Sequence, residues 1–161
     1  MKLVAAILTV MFALPALAAV EPCRLITPEE ITSTLGNPPS ARKALEPATD
    51  ANLGARLWTC EQQVGKAFLS INVIEFGSGA AATQVMTKMI QEARDVPGTI
   101  KLASIAGLGD RAASGASAEG AIWVVLKGNN ILNVALVGEL ADPQRQLDTL
   151  KSLATLALGR L

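Results

Sequence analysis

Histidine and tyrosine are both absent from this 161-residue chain. That removes Ser-His-Asp and Cys-His catalysis and the imidazole metal sites. A general acid or base would have to be a carboxylate or a lysine with a shifted pKa, and the sequence nominates no such pair. Ser40-Ala41-Arg42-Lys43 spells the S-x-x-K string of serine β-lactamases and penicillin-binding enzymes. It follows Pro38-Pro39 rather than opening a helix, and no S-D-N or K-T-G string comes after it, so it is not read as catalytic. Gly77-Ser78-Gly79-Ala80-Ala81-Ala82 matches G-x-G-x-x-A, and the pattern recurs at Gly107-Leu108-Gly109-Asp110-Arg111-Ala112. The first copy follows a hairpin strand rather than a βαβ strand, so it is read as a strand-to-helix turn and no cofactor is expected. Calcium would need a loop such as D-x-[DN]-x-[DN]-G, which is missing, and no metal site is expected. Asp110 is read as a cap on its own turn.

The remaining reactive side chains are Cys23 and Cys60, and their meaning depends on compartment. The chain opens with Lys2, an uncharged apolar run from Leu3 to Leu14, Pro15, and then Ala16-Leu17-Ala18. This is the pattern of a secretory signal peptide, with cleavage after Ala18 or Ala19. The run is shorter than the roughly 20 residues a membrane-spanning helix needs. Residues 1–19 are therefore expected to be a signal peptide and residues 20–161 a single domain, periplasmic or secreted, with no transmembrane segment after cleavage. Cys23 lies downstream of the cut, behind Val20-Glu21-Pro22, so a soluble product is expected rather than a lipid-anchored one. In an oxidising compartment the two cysteines read as a structural disulfide, since the C-x-x-C spacing of redox pairs is absent.

Without Lys2 the balance is 13 basic against 14 acidic residues, with no basic cluster, so nucleic acid is not an expected partner. Charged residues make up only 17% of the chain against about a quarter in ordinary domains, which fits apolar surface covered by a partner.

The elements that would position these residues are legible in outline. Thr27-Pro28-Glu29-Glu30 has the N-cap, N1 proline and N3 glutamate of a capping box, and Gly36 supplies the stop. Residues 37–56 read as a long surface loop. Residues 57–62 and 67–76 read as a hairpin, followed by a helix over 80–93 with Val85, Met86, Met89 and Ile90 on one face. Residues 100–113 hold short strands around Gly107-Leu108-Gly109-Asp110. Residues 121–127 and 131–137 form a second hairpin, and Asp142-Pro143 opens a last helix with Leu147, Leu150, Leu153 and Ala157 on its stripe. Hairpin then helix occurs twice, a topological echo with slight residue identity. The fold class is therefore α+β: a two-layer sandwich, mainly antiparallel, built from hairpins with helices packed on one face.

One sheet face collects Leu69, Ile71, Val73, Ile122, Val124, Leu126, Leu132, Val134 and Leu136 and should lie under the helices. The other holds Phe68, Ser70, Asn72, Ile74 and Phe76 with Trp123, Val125, Asn133 and Ala135. That mixed face is covered by the 37–56 loop or is a binding or dimer surface anchored by Trp123. Phe68, Phe76 and Trp58 complete the candidate surface, although Trp58 beside Cys60 also reads as packing on the disulfide.

Cys23-Arg24-Leu25-Ile26-Thr27-Pro28-Glu29-Glu30, Gly36, Trp58-Thr59-Cys60 and Ala106-Gly107-Leu108-Gly109-Asp110-Arg111-Ala112 resemble, in that order, a family of small secreted bacterial proteins of unknown function, many of them lipoproteins. The resemblance implies a two-cysteine α+β domain with Cys23 bridged to Cys60 and carries no enzyme activity. This chain departs from it by lacking the lipid-bearing cysteine. The functional expectation is an exported, non-enzymatic binding module of the cell envelope. The alternative is a small-molecule or lipid carrier or sensor with an apolar pocket between sheet and helices.

Overall fold

A computed structural model describes residues 20–95, 100–138 and 142–161. The expected signal peptide lies outside the described residues. In chain order come a 3-10 turn at Pro22–Arg24, α1 (Pro28–Leu35), β1 (Lys43–Asp50), β2 (Ala55–Val64), β3 (Ala67–Phe76) and α2 (Gly79–Asp95). Then follow β4 (Ala103–Ile105), β5 (Arg111–Ser117), β6 (Gly120–Lys127), β7 (Asn130–Val137) and α3 (Pro143–Arg160).

The strands form one antiparallel sheet in the order β1-β2-β3-β7-β6-β5-β4. Two meanders, β1-β2-β3 and β4-β5-β6-β7, meet at its centre, where Ile71 faces Val134 and Asn72 faces Asn133. Two of the tight turns are glycine turns of positive φ: Gly65 between β2 and β3, Gly128 between β6 and β7. The expectation of an antiparallel α+β fold built from hairpins is met.

Three particulars differ. Residues 43–50 are not loop but the edge strand β1, paired with β2 in a register that shifts between Leu45 and Ala48, beside Pro47. Proline lacks a ladder donor and is tolerated at such an edge. Its exposed, mixed-charge sequence hides the strand signal, because neither of its faces is buried.

The second difference is in the helices, which divide between the two faces. Leu150, Leu153, Ala154 and Ala157 of α3 pack with Ile26 and Ile31 on the face carrying Leu69, Ile71, Val73, Val134 and Leu136. Ala82, Met86 and Ile90 of α2 pack on the opposite face, against Phe76, Val124, Leu126 and Ile131. With their helices on opposite sides, the two hairpin–helix halves are not related by a local two-fold.

The third difference is in β6. Its register with β7 sets Trp123 opposite Val134 and Val124 opposite Asn133, so Trp123 and Val125 point to the α3 face and Ile122, Val124 and Leu126 to the α2 face. The run Ala121-Ile122-Trp123-Val124-Val125-Leu126 is apolar at every position, so alternation cannot say which set turns which way.

α1 forms as read: the Thr27 side chain accepts from Glu30 N, the Glu30 carboxylate accepts from Thr27 N, and Gly36 ends the helix at φ 76°. The turn Pro22–Arg24 and α1 make an N-terminal strap across one end of the α3 face. The disulfide Cys23–Cys60 joins it to β2. With the cysteines 37 positions apart in the chain, the bridge stabilises the fold by about 4 kcal/mol on the chain-entropy account. Arg42, just before β1, donates to the carbonyls of Cys23 and Ile26. Arg160, at the end of α3, donates to Leu25 O at 2.8 Å and clasps the Glu30 carboxylate at 2.7 and 2.6 Å.

The Arg160 hydrogen bonds, with the Thr27 amide, hold the Glu30 carboxyl at a pKa of about 2, below the ordinary 4.5. A depressed carboxyl stabilises the fold above its unfolded pKa and loses that contribution as pH falls through the folded one. Acid titration of stability should therefore show a loss between about pH 4.5 and 2 that is absent from Glu30→Gln. An unchanged acid limb in that variant would show that the clasp contributes nothing.

Candidate binding surface

The α3 face is closed. Trp123, 3% exposed, donates its indole N–H to Leu147 O at 2.8 Å, beneath the Lys151 ammonium 5.8 Å from its ring. Lys127 reaches over the same face to Leu158 O at 3.0 Å and supplies a cation to the last turn of α3. Trp123 is thus a core residue tying helix to sheet and not a surface anchor, which corrects its expected place on the mixed face. Trp58 is buried too, sharing a small apolar hollow of about 260 Å³ with Val20, Cys23, Leu45 and Pro47, beside the disulfide as its sequence position suggested. Phe76 is 2% exposed under α2.

The opposite face is half open. Rows of paired residues cross it from β3 to β5: Ile74, Ile131, Leu126; then Asn72, Asn133, Val124, Ala113; then Ser70, Ala135, Ile122, Gly115; then Phe68, Val137, Gly120. α2 covers the first rows. Phe68 and Val137, directly paired on the last, are 57% and 53% exposed. Between α2 and β6 runs a shallow groove of about 540 Å³ lined by Met89, Ala93, Ile100, Leu102, Ile122 and Val124, with Glu92 at its edge. Residues 100–102 form its outer wall by passing over Gly115, where any Cβ would collide with the Lys101 carbonyl. Ile122 links the groove floor through Ala135 to the exposed pair. The candidate residues are therefore not gathered into one site: Phe68 lies on the open surface, while Trp58, Phe76 and Trp123 lie in the core. Val137, Ile122 and the groove residues had no marker in the sequence beyond apolar character, because the register that assembles them is non-local.

The motifs singled out in the sequence act as fasteners. Ser40 accepts Gln63 N at 3.0 Å, stitching the approach to β1 onto β2. Ser78 accepts Ala81 N at 3.2 Å at the start of α2. The Gly107-Leu108-Gly109-Asp110 turn buries Leu108 and docks on β6, with Asp110 N donating to Leu126 O and the Asp110 carboxylate accepting Gly128 N at 2.6 Å. Asn129 is held from the other side, its side chain and carbonyl bridging to Phe76 O and N at 2.8 and 2.9 Å. Among the described residues no three His, Cys, Asp or Glu side chains are grouped as metal ligands would be. The clear carboxyl shifts fall at Glu29 and Glu30, on the strap and remote from the groove.

Fold and surface together define a disulfide-fastened antiparallel α+β domain with one closed and one half-open sheet face. Among solved structures it is similar to the extracellular domain of PknH from Mycobacterium tuberculosis, with 12% identity, a TM-score of 0.53, and coverage of 88% of this chain and 96% of that one. That likeness is one of fold. No family model and no curated protein matches the sequence.

Gly109 has φ 61°, and a Cβ there would lie 2.5 Å from Leu126 O and 2.6 Å from Val125 Cγ1. Gly109→Ala should cost about 3 kcal/mol in chemical denaturation, from left-handed strain plus displacement of β6. Gly107→Ala meets no atom within 4 Å and should cost less. Equal losses would remove the docking of this turn as the cause.

Proposed function

We propose that the chain is an exported, non-enzymatic binding module of the cell envelope that takes its partner on the half-open sheet face. The observation that carries this reading is the exposed Phe68–Val137 pair running into an apolar groove. Contiguous apolar surface of this kind marks interaction sites on soluble domains. The export-like N-terminus and the disulfide support an oxidising compartment, and the extracellular neighbour of the same fold agrees with it. No helix among the described residues is long and apolar enough to cross a membrane.

The groove itself favours a second reading, a carrier or sensor of a small apolar molecule. Its volume falls in the usual ligand range of roughly 300–1,000 Å³, with an almost wholly apolar lining.

A photo-crosslinking residue at position 68 or 137, in the exporting cell, should give the same discrete adduct, which Ile122→Asp abolishes while the fold persists by circular dichroism. The same probe at Thr155, on the outside of α3, should give none. Adducts of equal yield from all three positions would remove the surface assignment. Native mass spectrometry separates the readings, since extra small-molecule mass lost on denaturation belongs to a carrier. The same spectrum should show a chain starting at residue 19 or 20, about two daltons lighter than its reduced form.

A further inference from the structure

Among the described residues the most anomalous buried side chain is Gln62. It lies on β2 between Cys60 and Val64, on the face beneath the strap, and is 3% exposed. Its neighbours on that face are apolar, and Leu69 stands opposite on β3. Neither the oxygen nor the nitrogen of its amide has a hydrogen-bond partner. A third orphan is the Nε of Arg42, also buried. The β1–β2 ladder begins at Lys43 and Glu61, and Arg42 and Gln62 are the next residues outward from that pair on their two chain segments. The reach of Arg42 to Cys23 O and Ile26 O, both on the strap, turns it to the same face. Three orphaned polar atoms thus belong to two residues that flank the same end of the β1–β2 ladder under one cover.

Burying a polar group without a partner forfeits its hydration, so such groups in folded proteins are paired, with ordered water where no protein atom serves. The chemistry here is complementary for water. Arg42 Nε–H can only donate and Gln62 Oε1 can only accept, and a water molecule accepts from the first while donating to the second. The two terminal nitrogens of Arg42 remain on the strap carbonyls.

We infer that an ordered water molecule is bound beneath the N-terminal strap, bridging Arg42 Nε and the Gln62 amide, and that Gln62 acts through it as a positioning residue for the arginine that holds the strap. The bridge fixes the guanidinium plane, and the plane aims two donors at Cys23 O and Ile26 O. The strap then stays closed over the Cys23–Cys60 bridge. This site is independent of the partner on the opposite face.

Two measurements test it. A high-resolution crystal structure of the wild-type chain should show a density peak within hydrogen-bonding distance of both Arg42 Nε and the Gln62 amide. A dry site, or side chains bonded directly to each other, overturns the inference. Reduction of Cys23–Cys60 by a phosphine under native conditions should run about tenfold faster in Gln62→Met, the change that accompanies loss of one hydrogen bond to a charged group. Val64→Ala, a nearby apolar truncation, should destabilise the domain with less effect on that rate. If Gln62→Met is more stable than wild type, or the two variants speed reduction equally per unit of stability lost, Gln62 does not position Arg42. The crystallographic result decides the matter even if Gln62→Met fails to fold.

Discussion

The pairing of β3 with β7 joins segments about 60 residues apart, Phe68–Glu75 with Asn130–Val137. Each meander can close its own hairpins through short local connections, but a few strands alone leave both faces wet and are marginal. Pairing β3 with β7 makes one continuous sheet wide enough to be covered. It also sets Leu69, Ile71 and Val73 beside Leu136, Val134 and Leu132, the apolar floor on which α3 and the strap pack. Closing so long a loop costs entropy before its contacts form, so this step is the natural slow one in folding.

From that seam follows the unequal treatment of the two faces. α3 extends over β5, β6 and β7 on one side, and the strap covers β2 and β3 beside it. The strap is short and could not hold by helix propensity alone. The disulfide, two arginines and the buried Ile26 and Ile31 hold it instead. On the other side, among the described residues, the cover is α2 and the segment 100–102 beside it, and the paired Phe68 and Val137 stay exposed. The open surface is what remains when a seven-stranded sheet carries one helix on a face.

The glycine-rich strings illustrate how a motif reads differently once placed. Gly107-Leu108-Gly109-Asp110 looks like half of a nucleotide fingerprint, yet its glycines serve a left-handed turn and a close approach to β6, and its aspartate caps the β6–β7 turn. A phosphate cradle needs free amides at a helix start. Here the Asp110 and Gly128 amides are spent on Leu126 O and the Asp110 carboxylate.

Local signals settled what depends on neighbours in the chain. The capping box at Thr27–Glu30, the Gly36 stop, the two glycine hairpins, the apolar stripes of α2 and α3 and the α+β class were all legible, because i to i+4 spacing and turn chemistry act within a few residues. Two cysteines behind an export-like leader were enough to read the Cys23–Cys60 bridge. Tertiary structure alone decided the faces. β6 is apolar throughout, so only its ladder with β7 could bury Trp123 and turn Ile122 toward the groove. β1 has no buried face, so only pairing with β2 makes it a strand. The side on which α2 lies, and with it the open surface at Phe68 and Val137, depends on sheet register and helix packing between residues far apart in the chain.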